Sequence, residues 1–583
     1  MKQLNTILIY LIVCCLALWT SAVQAQNFER YRPIAPPVSE PVFPDLKQDM
    51  KPVIGSDKVL LKEFQGLIVL DDAGKVEQGG ADPDAFGIVR NFANRKSLVY
   101  SARFEDIVHQ YLGGPVSLRS LNQMSRDIIL LYRKRGQPVV DVIIPEQKIS
   151  EGTVQIVVIE GRIGKVLIED GCYFDGCELS KWIKCTRRGS AIYEPWIEND
   201  LFWLNQNPFR KIGVDLRPGS QEGTTDIIFT TEDVAPVRGY IGYDDTGVRT
   251  LGLSRLYTGF TLGNVFNADD TIGYQYTTDS DFRRLNAHAV TYTNPLNRDY
   301  TFQTYASWAG VSPTIGGGFA QGGESWQTGF ALVRTLEKSR FVDENLSFGF
   351  DFKSTNNNLE FGGINVQNSD ADLAQLRVGY QLFERDLCDQ YSRFSADAYF
   401  SPGRGFSSQN NAAAFGTIRA NTAPQYMYGR VRYERAKNMG DNWQLAFRGV
   451  GQITSDRLLF SEMLGFGGYD TVRGYDQRTA NGDHGWLASF EFGPRPIPIR
   501  IRGQEGRLRM YTFLDSGQAI LTGPLPGENA EQTMVSTGVG MRMSVAQNIS
   551  LRVDYGHGFN NVPFSQGSDR LHLGLVWQFG RLP

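Results

Sequence analysis

The chain has 583 residues, enough for several domains, and a formal net charge of −4 at pH 7. Such a charge gives no basic surface of the kind that neutralises phosphates, so no nucleic acid partner is expected. Aromatic residues make up 12% of the chain and there are 62 glycines, a composition that suits a β-barrel rich in glycine and aromatic side chains.

The N-terminus has the pattern of an export signal. Lys2 precedes an apolar run at residues 7–18, and Val23-Gln24-Ala25 forms a small-x-small cleavage site. The run is shorter than the roughly 20 residues of a spanning helix, so a signal peptide at 1–25 is favoured over a membrane anchor. Residues 26–58 hold five prolines between positions 33 and 44 and are predicted to be a Pro-rich linker.

Helix and strand patterns alternate in the next part of the chain. Apolar residues at steps of three and four predict amphipathic helices, whereas runs of β-branched residues predict strands. In the first unit the predicted helices are 102–110 and 117–135, and the strands are 139–144 and 153–159. In the second unit the predicted strands are 163–169, 212–217 and 225–231, and the helices are 179–184 and 195–205. These patterns predict two small α+β domains of β-α-α-β-β order, 59–162 and 163–233.

After Pro236 the pattern changes to strict alternation. In the last segment Leu571, Leu573, Leu575, Trp577 and Phe579 alternate with mostly smaller or polar residues, as in a strand with one face in lipid and one in water. Sixteen such segments can be counted: 237–245, 253–266, 270–278, 284–293, 299–309, 325–336, 345–355, 372–384, 391–401, 424–436, 442–453, 485–494, 507–515, 535–545, 548–557 and 570–579. An even number closes an antiparallel barrel, so residues 236–583 are expected to form a 16-stranded transmembrane β-barrel. A water-soluble array of β-sandwiches is the alternative.

The connections between these segments indicate an orientation. If the preceding domains are periplasmic, every odd-to-even connection faces the outside. These connections are long in the second half of the chain, at 310–324, 356–371, 402–423, 454–484 and 516–534. The even-to-odd connections are brief, as expected for periplasmic turns. The predicted location is therefore the outer membrane of a Gram-negative bacterium, with outer-membrane lipid around the barrel.

Patterns of catalytic chemistry are missing from the sequence. The five histidines lie far apart, and there is no phosphate-binding Gly-Lys-Ser/Thr run and no Gly-x-Ser-x-Gly motif. No catalytic residue, no cofactor and no enzymatic activity are therefore predicted.

Four cysteines remain after removal of the signal peptide, and an exported protein can oxidise them. Cys172 and Cys177 flank a turn-like stretch and are a candidate disulfide, although pairing of Cys172 with Cys185 stays open. A zinc site is not predicted, because neither a second cysteine pair nor a nearby histidine completes a ligand set.

The longest outer connection contains a glycine-rich stretch that ends in Val472-Arg473-Gly474-Tyr475. Glycines allow a tight path and close approach to a wall, so Arg473 can fold back into the lumen toward a carboxylate. The candidate partner is Asp515 in Phe513-Leu514-Asp515-Ser516-Gly517, on the same strand face as Arg509, Tyr511 and Phe513. A solvated arginine in a flexible loop is the alternative.

These motifs resemble the two-partner secretion translocators, the TpsB family, within the outer-membrane assembly factor superfamily. Further matches are Ile144-Pro145-Glu146-Gln147 with Glu160–Ile163, and Leu204–Arg210 with Leu216–Gly219, so the resemblance covers nearly the whole mature chain. The resemblance implies that 59–162 and 163–233 are POTRA domains, named POTRA 1 and POTRA 2 below. It also implies that Arg473 lies inside the barrel against Asp515.

Two features depart from the family pattern. Family members often carry an N-terminal helix that plugs the barrel, but only residues 26–32 precede the prolines here, which gives no support for a plug. The chain also continues for four residues beyond Phe579, where the barrel-assembly signal usually ends.

The parts and the resemblance together predict a translocator that captures an unfolded secreted partner polypeptide, of the adhesin or haemolysin type, and passes it through the barrel. The barrel assembly machinery is an expected partner during biogenesis. One rival function is a factor that inserts other barrels, although such factors usually have more POTRA domains. The other rival is a passive porin or receptor, although porins lack tandem domains of this kind. The secreted partner, the oligomeric state and the resting state of the pore are not readable from the sequence.

Overall fold

The described part of the chain, in a computed structural model, forms two compact units, one between residues 52 and 234 and the other made of residues 31–36 with those after 234. The structure describes residues 31–36, 52–80, 85–149, 152–313, 319–361, 364–388, 390–403, 405–546, 548–562 and 569–581. The predicted signal peptide, 1–25, lies outside the described residues. None of the helices in these ranges is long and apolar enough to span a membrane.

The first domain packs two helices against a four-stranded sheet. Its elements are β1 (Val59–Leu61), β2 (Gly66–Leu70), β3 (Gly87–Asn91), α1 (Ala102–His109), β4 (Val116–Ser117), α2 (Leu118–Lys134), β5 (Val140–Ile143) and β6 (Thr153–Glu160). The sheet order is β3-β2-β6-β5, in which β2 is parallel to both of its neighbours. Ser117 and Ser120 form a reciprocal cap that starts α2. The apolar face of α2, which includes Leu121 and Ile128, is buried in the core as its periodicity predicts.

The second domain is shorter, with β-α-α-β-β order and a three-stranded sheet, and it lacks counterparts of the additional strands of the first domain. Its elements are β7 (Arg162–Ile168), α3 (Gly176–Ser180), α4 (Glu194–Leu204), β8 (Arg210–Pro218) and β9 (Thr224–Asp233). The sheet order is β7-β9-β8, with β7 parallel and β8 antiparallel to β9. The helix predicted at 179–184 is wrong in its bounds. Asp175 accepts the N–H of Cys177 as an N-cap and so starts α3 three residues earlier than predicted.

The larger unit is a closed antiparallel barrel. Its segments are β10 (Val237–Asp244), β11 (Arg255–Gly263), β12 (Thr271–Asp279), β13 (Leu285–Pro295), β14 (Tyr300–Val311), β15 (Phe319–Lys338), β16 (Val342–Phe361), β17 (Ile364–Arg385), β18 (Tyr391–Pro402), β19 (Gln425–Met439), β20 (Trp443–Thr454), β23 (His484–Pro494), β24 (Ile497–Ile501), β25 (Gln504–Ile520), β26 (Glu531–Val545), β27 (Ile549–Gly558) and β28 (Asp569–Phe579). Because β23 and β24 both pair with β25, they are two halves of one strand, and the described segments form sixteen strands. The predicted fold class is confirmed, and each of the sixteen predicted segments overlaps one strand.

The end of the barrel at which β10 begins is called proximal below, and the end at which β10 ends is called distal. Several strands extend further at the distal end than predicted. The connection expected at 356–371 is wrong as a loop, because β16 and β17 continue as paired strands to Phe361 and from Ile364. The polar sequence of this region suggested a loop, but a strand ladder is held by main-chain hydrogen bonds and does not need apolar side chains. At the proximal end, Arg502 (φ 49°) and Gly503 (φ 83°) make the tight turn between β24 and β25.

A short N-terminal segment, residues 31–36, lies on the lumen side of the barrel wall. Tyr31 is buried beside Leu251 and Leu285. The backbone N–H of Ile34 donates to the hydroxyl of Tyr240 at 3.1 Å, and the carbonyl of Ile34 accepts from Thr261 at 3.3 Å. Part of the stretch predicted to be a linker therefore packs against the inner face of the barrel wall.

Candidate functional site

The connection between β20 and β23, residues 455–483, folds into the lumen and is called loop 6 below. Its two arms pair as a hairpin of β21 (Leu464–Phe466) and β22 (Ala480–Gly482). Gly468 (φ 100°) turns the chain toward the tip, which carries residues 472–475. A Cβ atom on Gly474 would lie 2.6 Å from the Cβ of Ser536 on β26, so only glycine allows the tip to lie this close to the wall.

Arg473 at the tip is fully buried and makes a two-point contact with Asp515 on β25. Its Nε and Nη2 atoms donate to the two carboxylate oxygens, each at 2.8 Å. The backbone N–H of Arg473 donates to the same carboxylate at 3.1 Å. Ser489 on β23 donates to Asp515 at 2.6 Å and accepts from Arg473 at 3.0 Å. This geometry fixes the direction of the guanidinium as well as its charge.

Two more carboxylates complete the surroundings of Arg473. Glu491 on β23 accepts from its Nη1 at 2.8 Å, and Asp554 on β27 accepts from the same atom at 3.3 Å. The sequence analysis missed both residues. Each stands at a lumen-facing position of its strand, and a charged residue at such a position is the signal that could have identified it.

Three further arginines compensate these carboxylates. Arg509 and Arg542 contact Glu491 at 2.7 and 3.1 Å. Arg552 contacts Asp554 at 2.6 Å and Asp470 of loop 6 at 2.7 Å. The cluster thus contains four cations and four anions, all paired with one another. Arg473, Asp515 and Asp554 are fully buried. Buried charges are tolerated only when they are paired and hydrogen-bonded, and removal of one partner of such a pair costs several kcal/mol, about 3 to 5. The cluster therefore holds the tip of loop 6 in one place.

The other predicted motif residues pack around the same cluster. The guanidinium carbon of Arg473 lies 3.6 Å from the centre of the Phe513 ring, a cation–π contact. Val472 and Tyr475 are buried in a small apolar core of loop 6 and the wall. The Tyr475 hydroxyl donates to the carbonyl of Val535 at 3.1 Å. Gly517 leaves space for loop 6, because its Cβ would lie 3.1 Å from the ring of Phe466.

The stem of loop 6 is bonded to a different set of strands. Glu462 accepts from Lys353 on β16 at 2.7 Å and from Tyr428 on β19 at 2.8 Å. Gln375 on β17 donates to the same carboxylate at 3.3 Å. Loop 6 is therefore attached to the wall at two separate places, through Glu462 to β16, β17 and β19 and through Arg473 to β23, β25 and β27.

Three of the cysteines, Cys172, Cys177 and Cys185, belong to POTRA 2, and Cys388 follows β17 in the barrel. None of these four residues forms a disulfide in the structure. The disulfide between Cys172 and Cys177 stays a prediction. Within the described residues no group of three or more His, Cys, Asp or Glu side chains is arranged to hold a metal ion.

Comparison with known protein families gives two matches. The family described as haemolysin secretion/activation protein ShlB/FhaC/HecB matches residues 223–543, more than half of the chain. The ShlB-type POTRA domain family matches residues 91–161, which cover most of POTRA 1.

Individual relatives agree with these matches. The heme/hemopexin transporter protein HuxB of Haemophilus influenzae (strain 86-028NP) is 23% identical over 66% of this chain and 68% of its own length. The hemolysin transporter protein ShlB of Serratia marcescens is 23% identical over 67% of this chain and 70% of its own length. The solved structure of CdiB from Escherichia coli superposes with a TM-score of 0.62 at 18% identity, covering 91% of this chain and 93% of that one. Since the family match includes both the loop 6 tip and Asp515, the chain belongs to the ShlB/FhaC/HecB family of haemolysin secretion/activation proteins, which are outer-membrane transporters of two-partner secretion.

Proposed function

We propose that the protein secretes a dedicated partner polypeptide, of the adhesin or haemolysin type, which it captures unfolded with its POTRA domains and passes through the barrel. The observation that carries the proposal is the attachment of loop 6 to the inner wall of the barrel, with Arg473 bonded to Asp515. A loop held inside a barrel must move before a polypeptide can pass. The paired charges that hold it are discrete contacts that can break and form again.

Capture is assigned to the sheet edges of the POTRA domains. Among the described elements, β8 of POTRA 2 pairs only with β9, over nine residues from Arg210 to Pro218. Its second edge has the geometry to accept an extended chain through main-chain hydrogen bonds. This mode of binding requires an unfolded partner, because a folded one would not present a free strand.

Passage is assigned to the polar lumen. Lumen-facing positions such as Gln275, Thr277 and Asp351 alternate with lipid-facing ones such as Phe330 and Phe350 along the strands. A polar wall does not retain apolar segments of a passing chain. Outer-membrane lipid surrounds the apolar face, and we assign insertion to the barrel assembly machinery, with Phe579 as the terminal aromatic residue of its signal.

The test compares proteins released by cells that carry the intact gene, a deletion or Arg473→Ala. Loss of one large extracellular polypeptide in both mutants, with other outer-membrane proteins at normal levels, is the expected result. An unchanged set of released proteins in the deletion strain would contradict dedicated secretion and favour a porin or receptor. A general loss of outer-membrane proteins would favour a barrel-inserting factor.

The matched control is Arg500→Ala, which removes an exposed arginine near the proximal end of the same barrel. Its secretion should equal that of the intact protein, because Arg500 lies outside the loop 6 cluster. Equal losses in Arg500→Ala and Arg473→Ala would remove the assigned role of loop 6.

A further inference from the structure

His572 on β28 is a buried histidine that contacts two other parts of the barrel. It is 3% exposed. Its Nδ1 atom lies 2.9 Å from Oδ2 of Asp245, the residue that follows β10. Its Nε2 atom lies 2.9 Å from the backbone carbonyl oxygen of Arg473. One imidazole ring thus connects the first strand, the last strand and the tip of loop 6.

The two groups that contact the imidazole ring, the Asp245 carboxylate and the Arg473 carbonyl, determine which ring nitrogens must carry a proton. A carbonyl oxygen has no proton, so Nε2 must donate to Arg473. In a neutral ring Nδ1 would then present a lone pair to the Asp245 carboxylate, which is also an acceptor. Both contacts are satisfied only when one additional proton lies between Nδ1 and Oδ2. The geometry therefore points to an imidazolium that bridges a carboxylate and a carbonyl.

Charged and titratable groups from each adjoining element face this bridge. Asp554 on β27 is the cross-strand neighbour of His572, and Arg473 and Arg552 neutralise it. Tyr469 of loop 6 presents its ring to the imidazole at 6.0 Å between centroids, and Arg552 covers that ring at 3.7 Å. Asp245 is the carboxylate in direct contact with the ring.

The bridge lies where the closing seam of the barrel ends. Backbone pairing between β10 and β28 runs from Gly239 with Phe579 to Asp244 with Gly574. One step further, the N–H of Leu573 donates to Oδ1 of Asp245 at 3.3 Å, while His572 contacts Oδ2. Side chains therefore continue the seam beyond its backbone ladder and connect it to loop 6.

We propose that protonated His572 is a positioning residue that holds the tip of loop 6 to the barrel seam, and that loss of its proton favours release of the loop. This inference rests on the proposed function in one respect, namely that loop 6 moves when the pore opens. The closed state contains one proton more than the released state, so rising pH favours the released state.

The protonation state is tested on the purified full-length chain in detergent micelles. Nuclear magnetic resonance of isotope-labelled histidine distinguishes a ring with two protonated nitrogens from a neutral one, and His572→Gln identifies the signal. We expect the signal of a ring with both nitrogens protonated, because both nitrogens face acceptors. The signal of a neutral ring would overturn the inference.

Channel opening is tested in planar lipid bilayers without any secreted partner. The ratio of open to closed channels should rise with pH in the intact protein, by at most about tenfold per pH unit for one proton. His572→Gln should open more often than the intact protein at the acid end of the range and should lose the pH response, because a glutamine side chain has no titrating proton and does not place donors at both acceptors. The matched control is His557→Gln, which alters an exposed histidine paired with Asp569 on the same two strands and should retain the pH response.

The variant Asp245→Asn tests the extra proton while it keeps the hydrogen bonds of the bridge, so no folding defect is expected. The asparagine amide can donate to Nδ1 of a neutral ring, and its oxygen still accepts from Leu573, so the bridge persists without the extra proton. Opening should therefore stay rare and become independent of pH. A pH response equal to that of the intact protein in Asp245→Asn, or a lost response in His557→Gln, would contradict the inference. Failure of the proposed function would change the set of proteins that cells release and would leave the bilayer measurements unaffected. The two failures can therefore be told apart.

Discussion

Arg419 and Asp483 form a buried two-point ion pair that joins two distal loops. The guanidinium Nη1 and Nη2 atoms lie 2.6 and 3.0 Å from the two carboxylate oxygens. Arg419 follows α5 (Ala412–Ile418) in the connection between β18 and β19, whereas Asp483 ends loop 6. The same carboxylate accepts the N–H of Leu458 at 2.8 Å and of Thr522 at 2.9 Å. The Asp483 carboxylate therefore bonds to residues of two further distal connections, those between β18 and β19 and between β25 and β26, besides its own loop 6.

Substitution Asp483→Asn should destabilise the distal loops strongly. It leaves Arg419 buried without a counter-ion, and removal of one partner of a buried pair costs about 3 to 5 kcal/mol. We expect a lower unfolding temperature and faster protease cleavage in the connection that contains α5. The matched control is Glu505→Gln, which removes a carboxylate from the exposed pair with Arg500 and should leave both measurements unchanged. Equal stability of the two variants would show that the pair does not hold the loops.

Substitution Arg473→Lys should increase channel opening although the charge is retained. Lysine cannot reproduce the two parallel contacts with Asp515, and one lost charge-assisted hydrogen bond is worth about 1.5 kcal/mol or more, roughly tenfold in the open-to-closed ratio. Bilayer conductance of the purified chain measures this ratio. The control Arg509→Lys changes an arginine whose contact with Glu491 is made through a single atom, and its effect should be smaller. An equal or larger effect of Arg509→Lys would refute the importance of the two-point geometry.

The pair of Lys353 with Glu462 predicts that a double variant is more stable than a single one. Glu462→Gln leaves the buried ammonium group of Lys353 uncompensated, whereas Lys353→Met with Glu462→Leu removes both charges at similar volume. We expect the unfolding temperature of the full-length chain to fall for the single variant and to recover at least partly for the double variant. An equal fall for both would mean that packing, not charge, determines the effect.

Substitution Asp200→Asn should destabilise POTRA 2 at neutral pH. Burial raises the pKa of the Asp200 carboxyl, but backbone N–H groups of Lys184, Cys185 and Thr186 donate to it and bring the pKa below the ordinary 3.8. A folded-state pKa below the unfolded one means that ionised Asp200 stabilises the domain above the unfolded pKa, and that this contribution is lost as pH falls through the folded pKa. Hydrogen–deuterium exchange of residues 184–205 in the full-length chain should increase for the variant at neutral pH.

The matched control for the hydrogen–deuterium exchange measurement is a second aspartate variant in the same domain. Asp175→Asn also changes an aspartate of POTRA 2 that accepts a backbone N–H, that of Cys177, but asparagine caps helices as well as aspartate does, so exchange near α3 should change little. Acidification should increase exchange around Asp200 in the intact protein and less so in Asp200→Asn. The same acid response in both proteins would exclude Asp200 as its source.

The sequence was most informative where the periodic spacing of apolar residues alone shows which face of a strand or helix is buried. Period-two alternation placed Tyr511, Phe513 and Asp515 on the lumen face, and the structure buries all three, whereas Met510 and Leu514 on the other face are exposed. The period of α2 likewise identified its buried face. Both predictions depend only on neighbours in the chain, because a strand or helix repeats its faces at fixed steps.

Sequence reasoning failed where polar residues form regular structure or where a cap sets a boundary. The polar stretch around Asn356 and Asp370 reads as a loop, yet these residues pair across β16 and β17. The start of α3 depended on the side chain of Asp175. These errors concern local bounds and leave the order of elements intact.

By itself the sequence determined the order of the barrel strands and their number, and it offered Arg473 and Asp515 as candidate partners, since alternation, turns and short motifs are written within a few residues of chain. Only the tertiary structure decided which charges meet. His572 contacts Asp245 and Arg473 across separations of 327 and 99 residues, and Arg419 contacts Asp483 across 64. The spacing of apolar residues shows which face of a strand a residue occupies, but not how far along the barrel axis that residue lies. That position depends on the stagger between strands and on the path of loop 6, and both are set by the closure of the whole barrel.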